Sequence, residues 1–125
     1  MIKKIDHFVI TANKVEECLR FYEKCGFTIK EATGRYELYA GDFKINLHIK
    51  NNELAPKARN ITYGSADICF ETDENINDLK MSLQAKGLDV LLGVVDRNGS
   101  RGKMQSIYLQ DPDGNLIEFC KYNDK

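Results

Sequence analysis

No cysteine in this chain has another at C-x-x-C spacing. The four, Cys18, Cys25, Cys69 and Cys120, stand singly among apolar neighbours. That pattern reads as buried free thiols in a reducing compartment rather than a zinc or disulfide framework. Neither sign of charge dominates: 18 Lys+Arg against 19 Asp+Glu leave a formal net charge of -1. So balanced a chain has no electrostatic footprint for nucleic acid or an anionic membrane. No apolar run approaches the length of a membrane span, and the opening MIKKIDHFVIT enters a strand-like pattern without a leader signature. The expectation is a cytoplasmic protein that binds neither nucleic acid nor membrane.

What is present suits a folded domain. The 125 residues are 42% hydrophobic and 30% charged, ordinary values for one compact domain with a single core. Residues 2–11, IKKIDHFVIT, alternate as a strand. A helix is expected from about Lys14 to Cys25, with Val15, Cys18, Leu19 and Tyr22 at helical spacing, Asn13 as its cap and Gly26 at its end. Three strands follow in FTIKEAT, RYELYAG and FKINLHIK, the last two joined by a tight Gly41-Asp42 turn.

The same order then recurs. GSADICFET reads as a strand and NINDLKMSLQAKG as a helix with Ile76, Leu79 and Leu83 inward; LDVLL, KMQSIYLQ and NLIEFCKY read as strands. EKCGFTI in the first half corresponds to QAKGLDV in the second. The chain therefore reads as a single domain over 1–125 built from two βαβββ modules, about 1–50 and 65–125, with the polar stretch 51–64 as linker. Each module is too small to bury its own sheet face, so the expectation is an α+β fold with the helices outside.

Four polar residues share a parity in this pattern. His7 precedes Phe8 and Ile10, His48 lies between Leu47 and Ile49, Asp67 precedes Ile68 and Phe70, and Glu118 lies between Ile117 and Phe119. Alternation puts each on the face opposite its large apolar neighbours. Each has a plain reading by itself. His7 suits a hydrogen-bonded strand histidine, His48 could face solvent beside Lys50, Asp67 could end a strand, and Glu118 could be an exposed carboxylate. Placed symmetrically in a duplicated pattern, two imidazoles and two carboxylates instead suggest a set able to coordinate a divalent metal. Asn46, Ser106 and Tyr108 share the parity of that face and are candidates for substrate binding. The polar segment DRNGSRGKM (96–104) has two readings, a solvated loop or a flap bringing Arg97, Arg101 or Lys103 to an anionic substrate.

The stretches IDHFVIT, LRFYEKCGF and DPDGNLIEF give the chain a resemblance to the vicinal oxygen chelate superfamily, which includes glyoxalase I and the bleomycin-resistance proteins. Extradiol dioxygenases and fosfomycin-resistance proteins belong to it too. Through KINLHI, GSADICF and GSRGKMQSIYLQDPDGNLIE it is most similar to the glyoxalase domain-containing protein 5 group. The resemblance implies tandem βαβββ modules forming curved mixed sheets around a central cup, and a homodimer acting on a small molecule. It implies a divalent metal (Ni, Zn, Co, Mn or Fe(II)) at His7, His48, Asp67 and Glu118, with Glu118 also a candidate base. The position matching His48 is usually a glutamate in glyoxalase I, and that matching Asp67 a histidine or glutamine. Fosfomycin-resistance proteins and extradiol dioxygenases carry histidine at the position of Asp67. The implied activity is a metal-dependent, glyoxalase-like lyase or isomerase. The alternatives are a metal-free ligand-binding protein of the bleomycin-resistance kind or an Fe(II) extradiol-type dioxygenase.

Overall fold

The duplicated pattern folds into two units, the first Met1–Gly64 and the second starting at Ser65, in a computed structural model that describes residues 1–124. Each unit carries a four-stranded mixed sheet. The architecture is α+β with two βαβββ runs, as the alternation and the helical spacing predict.

In the first unit the elements are β1 (His7–Ala12), α1 (Val15–Lys24), β2 (Thr28–Ala32), β3 (Arg35–Ala40) and β4 (Phe43–Ile49). The sheet order is β1-β4-β3-β2, with β1 parallel to β4 and the other pairs antiparallel. One parity of these strands is apolar, and Ile10, Ala12, Leu38, Ile45 and Leu47 are all buried. Helix α1 buries Cys18, Phe21 and Tyr22, and Phe27 packs edge-on against both Tyr22 and Phe43. The helix begins one residue later than the cap expected at Asn13: the N-cap is Lys14, which makes no side-chain cap. Gly26 ends it at φ 108, a backbone conformation that side chains disfavour. Segment 51–64 contains no helix or strand, and its Leu54 packs over Gly34.

The second unit repeats this plan with β5 (Asp67–Glu71), α2 (Ile76–Ala85), β6 (Leu92–Gly99), β7 (Gly102–Gln110) and β8 (Leu116–Tyr122). Its order is β5-β8-β7-β6. Helix α2 is capped by Asn75, whose side chain accepts from the Asp78 amide at 3.1 Å. Its buried Ile76, Leu79 and Leu83 face the sheet, as their spacing predicts.

The turn DPDG is a knot of hydrogen bonds. Asp111 Oδ1 accepts from the amides of Asp113 (3.0 Å) and Asn115 (2.9 Å), and Asn115 Nδ2 donates to Asp111 Oδ2 at 2.7 Å. Asn115 Oδ1 in turn accepts from the Ala66 amide at 2.9 Å, just before β5. The turn thus fixes β8 against β5 and sets the register in which Asp67 pairs with Leu116.

Two expectations in this unit need correction. The strand expected in LDVLL starts only at Leu92 and continues to Gly99. The segment DRNGSRGKM is not a loop: it is the largely exposed tip of the β6–β7 hairpin, paired through Asn98↔Lys103 and Gly99↔Gly102. Its polar sequence reflects its position, since β6 is an outer strand of the sheet and backbone pairing there needs no apolar alternation. Among the described residues, no helix is long and apolar enough to cross a membrane.

Candidate functional site

Strand register decides which of the polar residues can act together. In the first unit His7 pairs with Lys44, so Asn46 lies two residues further along β4 and His48 four. In the second unit Asp67 pairs with Leu116, so Glu118 lies two residues further along β8. Asn46 therefore stands where Glu118 stands, and His48 lies one step of the face beyond that place. His48 pairs with Thr11, about 13 Å along the strands from His7 at a rise of about 3.3 Å per residue. Two imidazoles that far apart on one face do not reach one ion.

The four expected ligands also differ in exposure. His7 is exposed, with Nδ1 2.8 Å from Asp6 Oδ1. Asp67 is exposed at the start of β5. His48 is buried, and burial first, then the nearby Arg35 charge, pushes its pKa below 6.5 against an opposing pull from Glu53. It is a neutral imidazole at neutral pH. Glu118 is half-buried, and its Oε2 is enclosed without a hydrogen-bond partner. Among the described residues, no three His, Cys, Asp or Glu side chains are gathered so as to hold a metal.

Glu118 sits between Tyr108 of β7 and Cys69 of β5. The Tyr108 hydroxyl accepts from Arg97 Nε at 2.8 Å, and the Arg97 guanidinium lies over the Tyr108 ring. Ser106, one step along β7, is fully buried with Oγ unpartnered. Cys69 and Cys120 lie within hydrogen-bonding reach of each other; burial, chiefly, pushes both thiols up, Cys69 strongly. Arg101 points elsewhere. Its Nη2 bonds both oxygens of Glu71, at 2.9 and 2.8 Å, and its guanidinium stacks on Tyr122, so it ties the hairpin tip across β8 to β5. Of the five substrate-binding candidates, Arg97, Ser106 and Tyr108 share one neighbourhood with Glu118, while Arg101 is engaged by Glu71. Asn46 is the fifth, on the polar face of the first unit, with Oδ1 buried and unpartnered.

Sequence reasoning missed a charged network on that same face. Glu37 is buried and accepts from Arg35 Nη2 (2.7 Å), Lys44 Nζ (2.8 Å) and the Tyr39 hydroxyl (2.8 Å). These donors, Lys44 first, lower the Glu37 pKa from 4.5 to about 2. The signal was available: in RYELYA, Arg35, Glu37 and Tyr39 share one parity, and Glu37 pairs with Asn46. Tyr36 pairs with Leu47, on the apolar face.

A family model described as the Glyoxalase/Bleomycin resistance protein/Dioxygenase superfamily matches residues 4–119. The chain is 43% identical over 124 residues to a virulence protein of Salmonella typhimurium, covering 98% of this chain and 86% of that protein. The crystal structure of that protein superposes with a TM-score of 0.94 at 42% identity, covering 98% of this chain and 99% of the other. A glyoxalase domain-containing protein of Mycosarcoma maydis is 40% identical over 124 residues, covering 98% of this chain and 70% of that protein.

Proposed function

The chain belongs to the glyoxalase, bleomycin resistance protein and dioxygenase superfamily, and from that premise we propose a metal-dependent enzyme of glyoxalase type, a lyase or isomerase. Its substrate is a small molecule bound through neighbouring oxygens. The observation that carries this reading is Glu118 Oε2, a buried oxygen with no hydrogen-bond partner. An enclosed carboxylate oxygen is costly unless a cation or a donor reaches it. Asn46 Oδ1 repeats the feature at the same register of the other sheet.

Each unit offers a pair of donors to a divalent ion: His7 with Asn46 on the first sheet, an imidazole and an amide oxygen, and Asp67 with Glu118 on the second, two carboxylates. Nitrogen and oxygen donors of these kinds suit nickel, zinc, cobalt, manganese or iron(II). His48 drops out of the first pair on its distance from His7. When bound, such an ion supplies Lewis-acid stabilisation of an enolate- or alkoxide-like oxygen.

The remaining work falls to side chains around Glu118. Glu118 either stays on the ion or loosens from it and takes a proton from substrate. Tyr108 has its oxygen occupied by the Arg97 Nε donor, which leaves its own hydroxyl proton free for a substrate oxygen. Ser106 Oγ, fully buried and unpartnered, is a second hydroxyl for the same task. The reading includes a homodimer in the cytoplasm; light scattering of the purified chain is expected to give twice its mass.

Elemental analysis and thermal unfolding test the reading. The wild-type chain is expected to carry a divalent metal and to gain melting temperature when one is added. Glu118→Gln is expected to lose most of both. If neither protein takes up metal, the second reading holds: a metal-free binding protein.

A further inference from the structure

The polar face of the first sheet carries a positive charge that nothing on it neutralises. Lys30, Glu37, Asn46 and Val9 lie in one row across β2, β3, β4 and β1. One row toward the far end of β4, a single step past the Tyr36–Leu47 pair, Arg35 stands beside His48, which pairs with Thr11. Glu37 is one negative charge shared by two cations, Arg35 and Lys44. The other carboxylate near His48 is Glu53. It accepts from the Asn51 amide at 2.8 Å and has Lys57 at 3.8 Å, so it does not supply the missing charge.

Arg35 is held but not satisfied. Nη2 is fixed on Glu37 at 2.7 Å, which sets the plane of the guanidinium. Its Nε is buried and has no hydrogen-bond partner. A buried, charged N–H with no acceptor is costly, so an anionic oxygen that reaches it on binding gains a charge-assisted hydrogen bond. His48, buried beside it, offers an imidazole N–H that can serve a second oxygen. An oriented guanidinium beside an imidazole N–H and a surplus positive charge suit a planar group with two anionic oxygens.

We propose that Arg35, oriented by Glu37 and flanked by His48, forms a subsite on the first sheet that binds the carboxylate of a small organic acid. Arg35 Nε donates to one carboxylate oxygen and the His48 ring to the other. Glu37 is a positioning residue: it touches Arg35 and not the ligand. The subsite stands whether or not the chain holds a metal, because none of its groups belongs to the ligand pairs.

The test is isothermal titration of the full chain, stripped of metal with a chelator and then dialysed free of it, with oxalate, and with inorganic phosphate as a separate arm. Wild type is expected to bind oxalate, and Arg35→Lys, which keeps the charge and can still pair with Glu37, to bind at least about tenfold more weakly. Its melting temperature shows that it is folded. In ¹⁵N NMR of the wild type, the Arg35 Nε–H signal is expected to shift on adding oxalate. No oxalate binding by the metal-free chain, equal binding by Arg35→Lys, or an unmoved Nε–H signal overturns the proposal. Tighter binding of phosphate with the same Arg35 dependence overturns the assignment to carboxylates. Oxalate binding that appears only with added metal defeats this subsite while leaving the metal reading intact.

Discussion

Asn46 and Glu118 occupy equivalent places in two separate sheets: each lies two residues beyond the partner of the residue that opens the adjacent parallel strand. Each also ends in a buried oxygen without a hydrogen-bond partner. The two halves thus hold a polar oxygen at the same place with different residue types, an amide in the first and a carboxylate in the second. The amide keeps a neutral oxygen donor and gives up a negative charge.

Glu37 makes acid stability sensitive to one side chain. Its pKa is lowered from 4.5 to about 2, so the folded state binds its proton less readily than the unfolded chain. The sign follows from linkage: its contribution is complete above about pH 4.5 and is lost as pH falls toward 2. Urea unfolding of wild type and Glu37→Gln across pH 2 to 6 is expected to show the wild-type advantage shrinking over that interval. An advantage independent of pH would refute the assignment.

Gly93 is required by its surroundings. It has φ +121, and a Cβ there would lie 2.6 Å from the Ser106 carbonyl oxygen and 2.9 Å from Ile107 Cα. These are backbone atoms of the central β7 and cannot swing aside. Gly93→Ala is expected to cost roughly 2–4 kcal/mol of stability, the range for backbone strain combined with overpacking. The urea midpoint measures it, and it also reads the packing beneath Ser106.

Cys69 is expected to be a poor nucleophile despite its exposure. Burial of the sulfur, then the contacts with Cys120 and Glu118, hold its thiol well above the ordinary range, and Cys120 is raised as well. At pH 7 alkylation by iodoacetamide should be slower than for a free cysteine, because only the thiolate attacks. Mass spectrometry of the alkylated chain resolves the two sites. Fast modification of Cys69 would contradict this environment.

Periodicity made most of the fold legible, because alternation and helical spacing are imposed by a core. Ile76, Leu79 and Leu83, or Ile117 and Phe119, could hardly point anywhere else. Strand β7 was legible in KMQSIYLQ, but most of β6 was not: an outer strand rich in polar residues carries no core signal, and its pairing is decided by the neighbouring strand. At the site, parity placed His7, Asn46 and His48 on one face, and Ser106, Tyr108 and Glu118 on another. Parity does not give register. His48 and Asn46 differ by one full period of the strand, so alternation treats them alike, and only the pairing of His7 with Lys44 separates them. The Arg35–Glu37–Lys44 network was hidden because charged residues in a strand ordinarily indicate solvent, whereas here they satisfy one another.

The most direct test of the account is a cobalt(II) titration of wild type, Asn46→Ala, His48→Ala and Glu118→Gln, followed by calorimetry. Asn46→Ala and Glu118→Gln are expected to weaken metal binding by tenfold or more, about 1.4 kcal/mol, with His48→Ala close to wild type. Loss of binding in His48→Ala with Asn46→Ala unaffected would contradict it.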